Sequence, residues 1–449
     1  MSIQIKPSNL SGLKDRLMKD VSENAIDHFR QVGRITKLVG LTLESHGPNA
    51  SIGDLVSIHS KTTQEDVFAE VVGFRDNRVL LMPFDSIKGI ACGDDVTQVN
   101  EGFRISVGDQ MLGRVIDGLG NAIDGKGDWD YEAIWPVHRA APPSMSRIRI
   151  DKQFVTGIRA IDSALSCGIG QRIGIFAGSG VGKSTILGML CRHSDADVNV
   201  IALIGERGKE VRDFIEDSLG PEGMKKSILV VVTSDQPPLQ RVRGAELAMA
   251  IAEYFRDKSK KVLLVMDSVT RFAMAQREIG LAIGEPPATK GYPPSVFSLL
   301  PRLLERAGNN DKGSITGCFT VLVEGDDLND PIADSVRGIL DGHIVLSREL
   351  AMRGHYPAID ILASISRVIN NVTTVEHLEA SRQVREILGT YKKVEDLINI
   401  GAYQGGTNPK IDWAIQKKEP LDGYLRQGIN EYSNWDEAFE ELKLVLNQH

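Results

Sequence analysis

The sequence predicts an α/β protein: a mainly parallel sheet covered by helices on both faces, preceded by a small N-terminal β-barrel and followed by a C-terminal helical domain. Three observations predict it. Between about 150 and 370, the apolar runs "RIGIFA", "VNVIALIG", "SILVVVT", "KVLLVMD", "SITGCFTVLV" and "GHIVLS" alternate with longer helical patterns; strands apolar on both faces belong to a buried parallel sheet. From about 31 to 98 the runs are shorter and separated by Gly, Asn and Asp at close intervals, the texture of a barrel. Beyond about 373 the pattern is helical and charged. A chain of 449 residues exceeds one core, and the texture divides it at 1–30, 31–98, 99–372 and 373–449.

In the first segment Leu10, Leu13, Leu17 and Val21 recur at helical spacing and form one narrow apolar stripe, which packs on its own domain or docks another protein. The N-terminus has no apolar stretch followed by a small-residue cleavage site, so it does not read as a secretory signal. No run approaches the ~18 apolar residues of a membrane span, and a cytoplasmic location is expected. The barrel runs are "GRITKLVGLTLESHG", "DLVSIHS" and "DVFAEVVGFRDNRVLLMPF". A Gly-rich entry, "GDQMLGRVIDGLGNAIDGKG", and a proline-bearing loop, "WPVHRAAPPSMSR", lead into the sheet. A hydrophobic content of 42% with 25% charged residues is that of a soluble protein. The net charge of −8 argues against a protein built to grip nucleic-acid phosphates. Cys92, Cys167, Cys191 and Cys318 are far apart with no CxxC pair, which fits buried thiols rather than disulfides or zinc.

The stretch "GIFAGSGVGKST", 174–185, carries the chemistry. It joins an apolar strand to a helical pattern and fits a phosphate-binding loop, Gly178, Ser179, Gly180, Val181, Gly182, Lys183, Ser184 and Thr185, with Ala177 in the first glycine position. Its glycines let successive N–H groups wrap a polyphosphate, and the following helix presents its positive end. Lys183 would reach the β- and γ-phosphates, and the Ser184 hydroxyl would ligate Mg²⁺. "KVLLVMDS" ends its strand at Asp267, the second residue near the metal; a bare aspartate there could equally cap a helix. "VNVIALIGERG" ends its strand at Glu206, the candidate base for activating water, unless it pairs with Arg207 or Arg212.

"LIGERGKEV", "AEYFRD", "MDSVTRFAMAQREIGLAIGEPPATKGYPPSVFSLLPRLLERAG" and "DPIADSVRGILDGHIVLSRELAMRGHYPAIDILASISR", with the phosphate loop, resemble the ATPases of bacterial type III protein export, relatives of the ATP synthase catalytic subunits. The likeness runs from about residue 30 to the end and is densest from 155 to 370. The segment "AMAQREIGLAIGEPPATKGYPPSVF" is more similar to the flagellar export ATPase than to its virulence counterpart, which tends to read "GYPASVF". The resemblance implies a RecA-like P-loop ATPase domain. It also implies that Glu206 is the catalytic carboxylate, that Arg207 and Arg271 line the phosphate end, and that Asp267 lies near magnesium. Arg367 in "SISR" matches an arginine given across a subunit boundary to a neighbour's nucleotide, Tyr356 the aromatic that stacks on adenine, and Tyr403 a residue closing the other side of the base.

With both Glu206 and Arg367 on a single chain, a homo-oligomeric ring can be catalytically complete, and the resemblance implies six copies, a homohexamer. The implied activity is ATP hydrolysis coupled to chaperone release, unfolding and export of substrates. The implied partners are stalk or regulator proteins, the export gate and substrate–chaperone complexes, with peripheral membrane association at the inner face of the cell membrane and no nucleic acid. The alternatives are a virulence secretion ATPase, a rotary synthase subunit, which the paired Glu206 and Arg367 oppose, and a Rho-like RNA translocase, which net acidity opposes.

Overall fold

A computed structural model describes residues 32–99, 102–323, 325, 327 and 329–447. The apolar stripe of Leu10, Leu13, Leu17 and Val21 lies outside the described residues. The chain forms two compact units that meet in sequence at Gly102 and Phe103.

Six short strands make the first unit: β1 (Val32–Val39), β2 (Thr42–His46), β3 (Leu55–His59), β4 (Asp66–Arg75), β5 (Arg78–Pro83) and β6 (Asp95–Gln98). They close into a barrel in the order β1-β2-β5-β4-β3-β6. Closure follows from alternation: Val56 and Ile58 of β3, Val71 of β4 and Val96 of β6 point inward and are fully buried, and a closed sheet leaves no edge unpaired. β4 turns into β5 at Asp76 and Asn77, whose φ values of 48° and 58° are those the tight hairpin requires. Cys92 is exposed, contrary to the expectation of burial, because it falls in the loop between β5 and β6, where its thiol donates to the Thr36 carbonyl at 3.4 Å. Cys167, Cys191 and Cys318 are buried and free.

In the second unit the six apolar runs become β8 (Arg172–Ala177), β9 (Val198–Glu206), β10 (Ser227–Thr233), β11 (Lys261–Asp267), β12 (Ser314–Leu322) and β13 (Gly342–Leu346). Two more strands extend the sheet: β7 (Val115–Ile116), from the Gly-rich entry, and β14 (Ile359–Ser366). The order is β14-β13-β8-β12-β11-β9-β10-β7. Along this path every pairing is parallel except that of β13 with β14. The central strands carry no exposed face: Val200, Ile201, Leu264, Val265, Phe319 and Val321 are completely buried. Parallel strands run the same way, so the carboxyl ends of β8, β9, β11 and β12 open along one edge, where such sheets hold their ligands.

α1 (Lys183–His193) follows β8 with only the loop between them, and α2 (Pro238–Asp257), α3 (Val269–Ile283) and α4 (Pro294–Leu304) come later in the same unit. α1 lies close to the segment Phe214–Leu219: a Cβ on Gly188 would stand 2.4 Å from the Ser218 carbonyl oxygen, and Arg192 donates to that same carbonyl. The C-terminal helices α5 (Val375–Asn399), α6 (Pro409–Leu425) and α7 (Trp435–Asn447) do not build a core of their own. Val384, Ile387, Leu421 and Leu442 join the same apolar cluster as Ile175 and Leu187, so the texture change near 373 marks a change of element type and not an interruption of packing.

Gly188→Ala is expected to destabilise the second unit by about 1–3 kcal/mol, the cost of overpacking against backbone that cannot step aside. A lowered denaturant midpoint at unchanged m-value checks this.

Candidate active site

β8 is buried to its last residue, Ala177, and the chain then turns through a loop whose Gly180 and Gly182 adopt φ of 79° and 93°. These are left-handed values that a side chain opposes. Gly182 is the N-cap of α1, so the first N–H groups of that helix face the loop, a natural seat for anions. The loop forms one wall of a cleft of about 860 Å³ that also receives Glu206, Arg207, Glu210, Asp267 and Arg271.

Three ionisable side chains meet at the floor. Lys183 Nζ donates to Asp267 Oδ1 at 2.5 Å and lies 3.6 Å from Glu206 Oε1. All three are largely withdrawn from water, with side chains 12%, 5% and 12% exposed for Lys183, Asp267 and Glu206. Burial is the strongest influence on the Lys183 ammonium and pulls its pKa down, but the charges of Asp267 and Glu206 together outweigh it and raise the pKa. Burial pushes Glu206 up to about 7, with Lys183 acting against the rise and Asp267 adding to it. Glu210, one helical turn on, is lowered chiefly by a hydrogen bond with the Glu206 carboxyl.

Two buried polar atoms of the cleft have no hydrogen-bond partner: Glu206 Oε1, whose nearest charge is the Lys183 ammonium at 3.6 Å, and Arg271 Nε. Burying such atoms unsatisfied costs free energy, and here the acceptor suits a water to be activated and the donor an anionic oxygen.

The anticipated alternatives for these carboxylates are not what the structure builds. Ser268, not Asp267, caps the helix α3 (Val269–Ile283), accepting from Arg271 N. Arg207 pairs with Glu210 and Arg212 with Glu216, leaving Glu206 to Lys183. Ser184 lines the cleft and is exposed, while Val181 is buried beneath the loop. The Tyr356 ring lies over the loop, 3.8 Å from where a Cβ on Gly182 would stand. Two expected residues are not brought to this cleft. Arg367 is exposed, with its guanidinium 3.5 Å from the Arg337 carbonyl, and Tyr403, on the loop after α5, turns its hydroxyl to the Asn408 carbonyl and to Asp412 in α6. Sequence reasoning passed over Glu210, whose spacing of four from Glu206 was a usable signal, and Thr320, which lies inside an apolar run.

The oxygens at hand fit a hard cation. Ser184 and Asp267 offer a hydroxyl and a carboxylate, and among the described residues no group of three or more His, Cys, Asp or Glu is placed to hold a metal. That is the donor set of Mg²⁺, which takes one or two protein oxygens and completes its shell with phosphate and water.

Residues 157–366 match the model of the ATP synthase alpha/beta family, nucleotide-binding domain; 35–100 match that family's beta-barrel domain, and 373–444 the T3SS EscN ATPase C-terminal domain. The chain is 54% identical over 419 residues to the flagellum-specific ATP synthase of Bacillus subtilis, covering 93% of this chain and 95% of that one. It is 48% identical to the SPI-2 type 3 secretion system ATPase of Salmonella typhimurium, covering 94% and 96%. The assembled EscN of the enteropathogenic E. coli type III secretion system superposes with a TM-score of 0.86 at 47% identity, covering 92% of this chain and 100% of that one. EscN has also been solved with its central stalk EscO. The fold and cleft are those of a P-loop ATPase. The chain belongs to the family of flagellum-specific and type III secretion ATPases.

The raised pKa of Glu206 has a kinetic consequence. If Glu206 is the base, it acts only when ionised, so kcat/KM, which reports the free enzyme, should fall as pH drops below about 7, and an acid limb near 7 is expected with nucleotide kept as its magnesium complex. A limb near the ordinary carboxylate value of about 4.3 would contradict a base whose pKa is raised by burial.

Proposed function

We propose that this chain is the ATPase of a flagellar type III export apparatus, hydrolysing magnesium-bound ATP in a homohexameric ring and using the energy to release substrates from chaperones, unfold them and pass them to the export gate. The supporting observation is the division of the catalytic set. Lys183, Glu206 and Arg271 line the chain's own cleft while Arg367 does not, being exposed elsewhere on the sheet. An exposed arginine at the end of β14 serves a second copy, whose cleft lacks that charge in turn.

In this reading the N–H groups of 178–182 and Lys183 bind the β- and γ-phosphates, and Tyr356 stacks on the base; Tyr403 closes its other side only if the loop after α5 moves. Lys183 exchanges Asp267 and Glu206 for phosphate oxygens when nucleotide enters. Glu206 then orients a water and accepts its proton, while Arg207, Arg271 and the neighbour's Arg367 face the charge that develops on the transferring group. Ser184 and Asp267 would hold magnesium, which would supply neutralisation of the phosphate charge.

Higher identity to the Bacillus relative than to the SPI-2 enzyme favours flagellar over virulence use. By likeness to EscN, a coiled-coil stalk is the proposed central partner, and the segment bearing Leu10, Leu13 and Leu17 the docking site for a regulator. No helix among the described residues is long and apolar enough to cross a membrane, so a place at the inner membrane face would come through the export machinery.

Lys183→Ala should abolish nucleotide binding, and Glu206→Gln should leave it intact with hydrolysis lowered at least about 10²-fold. Arg367→Ala should bind nucleotide and fail to cleave it. Mixing Arg367→Ala with Glu206→Gln chains should restore part of the activity, because an intact base and an intact arginine then meet at some boundaries. A mixture no more active than its parts would refute the shared site. Loss of filament assembly on deleting the gene, with any needle secretion intact, checks the flagellar assignment.

A further inference from the structure

Asp267 is held from two sides. Lys183 approaches Oδ1 from the cleft, and Thr320 approaches the same oxygen from within the sheet: its Oγ1 stands 2.7 Å from Asp267 Oδ1 and 3.3 Å from the Met266 carbonyl. Thr320 is 0% exposed, on β12, which pairs with β11 immediately before it, Met266 opposite Phe319. A hydroxyl has one proton to give. The carboxylate is both the nearer and the charged acceptor, so the proton goes to Oδ1.

No described hydrogen bond reaches the other oxygen, Oδ2. The two donors therefore converge on one oxygen of Asp267 and leave the other without a described hydrogen bond. They differ in permanence. Lys183 must turn to the phosphates once nucleotide is bound, and Thr320 is then the one remaining donor on Oδ1.

We propose that Thr320 is a positioning residue that fixes the Asp267 carboxylate so that Oδ2 is presented to nucleotide-bound magnesium or its water, most of all after Lys183 has left. The inference rests on the reading of Asp267 as the acidic residue near the metal. Its effect falls on the metal-dependent part of nucleotide binding and not on the nucleotide alone, because the phosphate loop and Lys183 are untouched. Outer-shell partners of this kind are commonly worth about 10–100-fold in metal affinity.

The test uses the full chain and a fluorescent ATP analogue, with binding titrated in magnesium and again in EDTA. Thr320→Val keeps the shape and removes the hydroxyl; Thr320→Ser keeps the hydroxyl and removes a methyl, so it is expected to be the less stable of the two. Thr320→Val should bind the magnesium complex about tenfold more weakly and the metal-free analogue as the parent does. Thr320→Ser should bind both as the parent does despite a lower melting temperature. In an Asp267→Asn background Thr320→Val should add no further loss. Equal loss with and without magnesium, or the same loss in Thr320→Ser, would make Thr320 merely structural and overturn the proposal. A metal-dependent loss in Asp267→Asn with none in Thr320→Val would overturn the positioning role alone. No metal-dependent loss in Asp267→Asn would overturn the reading of Asp267, and the role of Thr320 with it.

Discussion

An ammonium group buried between two carboxylates is the constraint around which the second unit is arranged. Lys183 can be taken out of water only because Asp267 and Glu206 stand beside it; a buried charge without a counter-charge is strongly unfavourable. Each of the three comes from a different stretch of sequence, at the start of α1 and at the ends of β9 and β11. Their meeting requires that those strands be parallel and that α1 begin immediately after β8. The sheet supplies the first condition and the glycine loop the second. In the proposed mechanism phosphate oxygens take the place of the two carboxylates at Lys183, leaving Glu206 to orient water and Asp267 to face the metal.

The packing around this centre is tight where the cleft must be firm. α1 approaches the segment 214–219 so closely that only glycine fits at 188. The C-terminal helices share the apolar cluster that supports β8 and α1, and the Gln427 backbone N–H donates to the Tyr356 carbonyl. Movement of those helices is therefore linked mechanically to the wall over which adenine is proposed to lie.

How far the sequence could be read depended on how strongly physics marks each element. Strands buried on both faces write continuous apolar runs, and all six such runs became strands of the main sheet. β14 was not legible because its burial alternates irregularly, with Leu362, Ala363 and Ile365 exposed, and β7 has two residues only. The phosphate loop was legible because its glycines answer a backbone demand that no other residue meets cheaply. Glu206 and Asp267 could be named from their places at strand ends, but their shared hold on Lys183 and the raised pKa of Glu206 depend on distances that no spacing encodes. Thr320 was hidden by its neighbours, a hydroxyl inside an apolar strand being indistinguishable in sequence from ordinary β-branched filling. Cys92 shows the converse: residue type suggested burial, and a loop placed it outside.

In the proposed reading Arg367 joins the chemistry to assembly. With Glu206 as a base inside the cleft and Arg367 exposed outside it, each chain would be half of two active centres, and turnover would depend on copies meeting. The most direct measurement is specific ATPase activity across a dilution series in which the mass of the species present is determined at each concentration. Activity per chain should rise steeply as monomer gives way to oligomer, with little hydrolysis by the monomer. A monomer, verified by mass, that hydrolyses ATP as fast per chain as the oligomer would contradict the account.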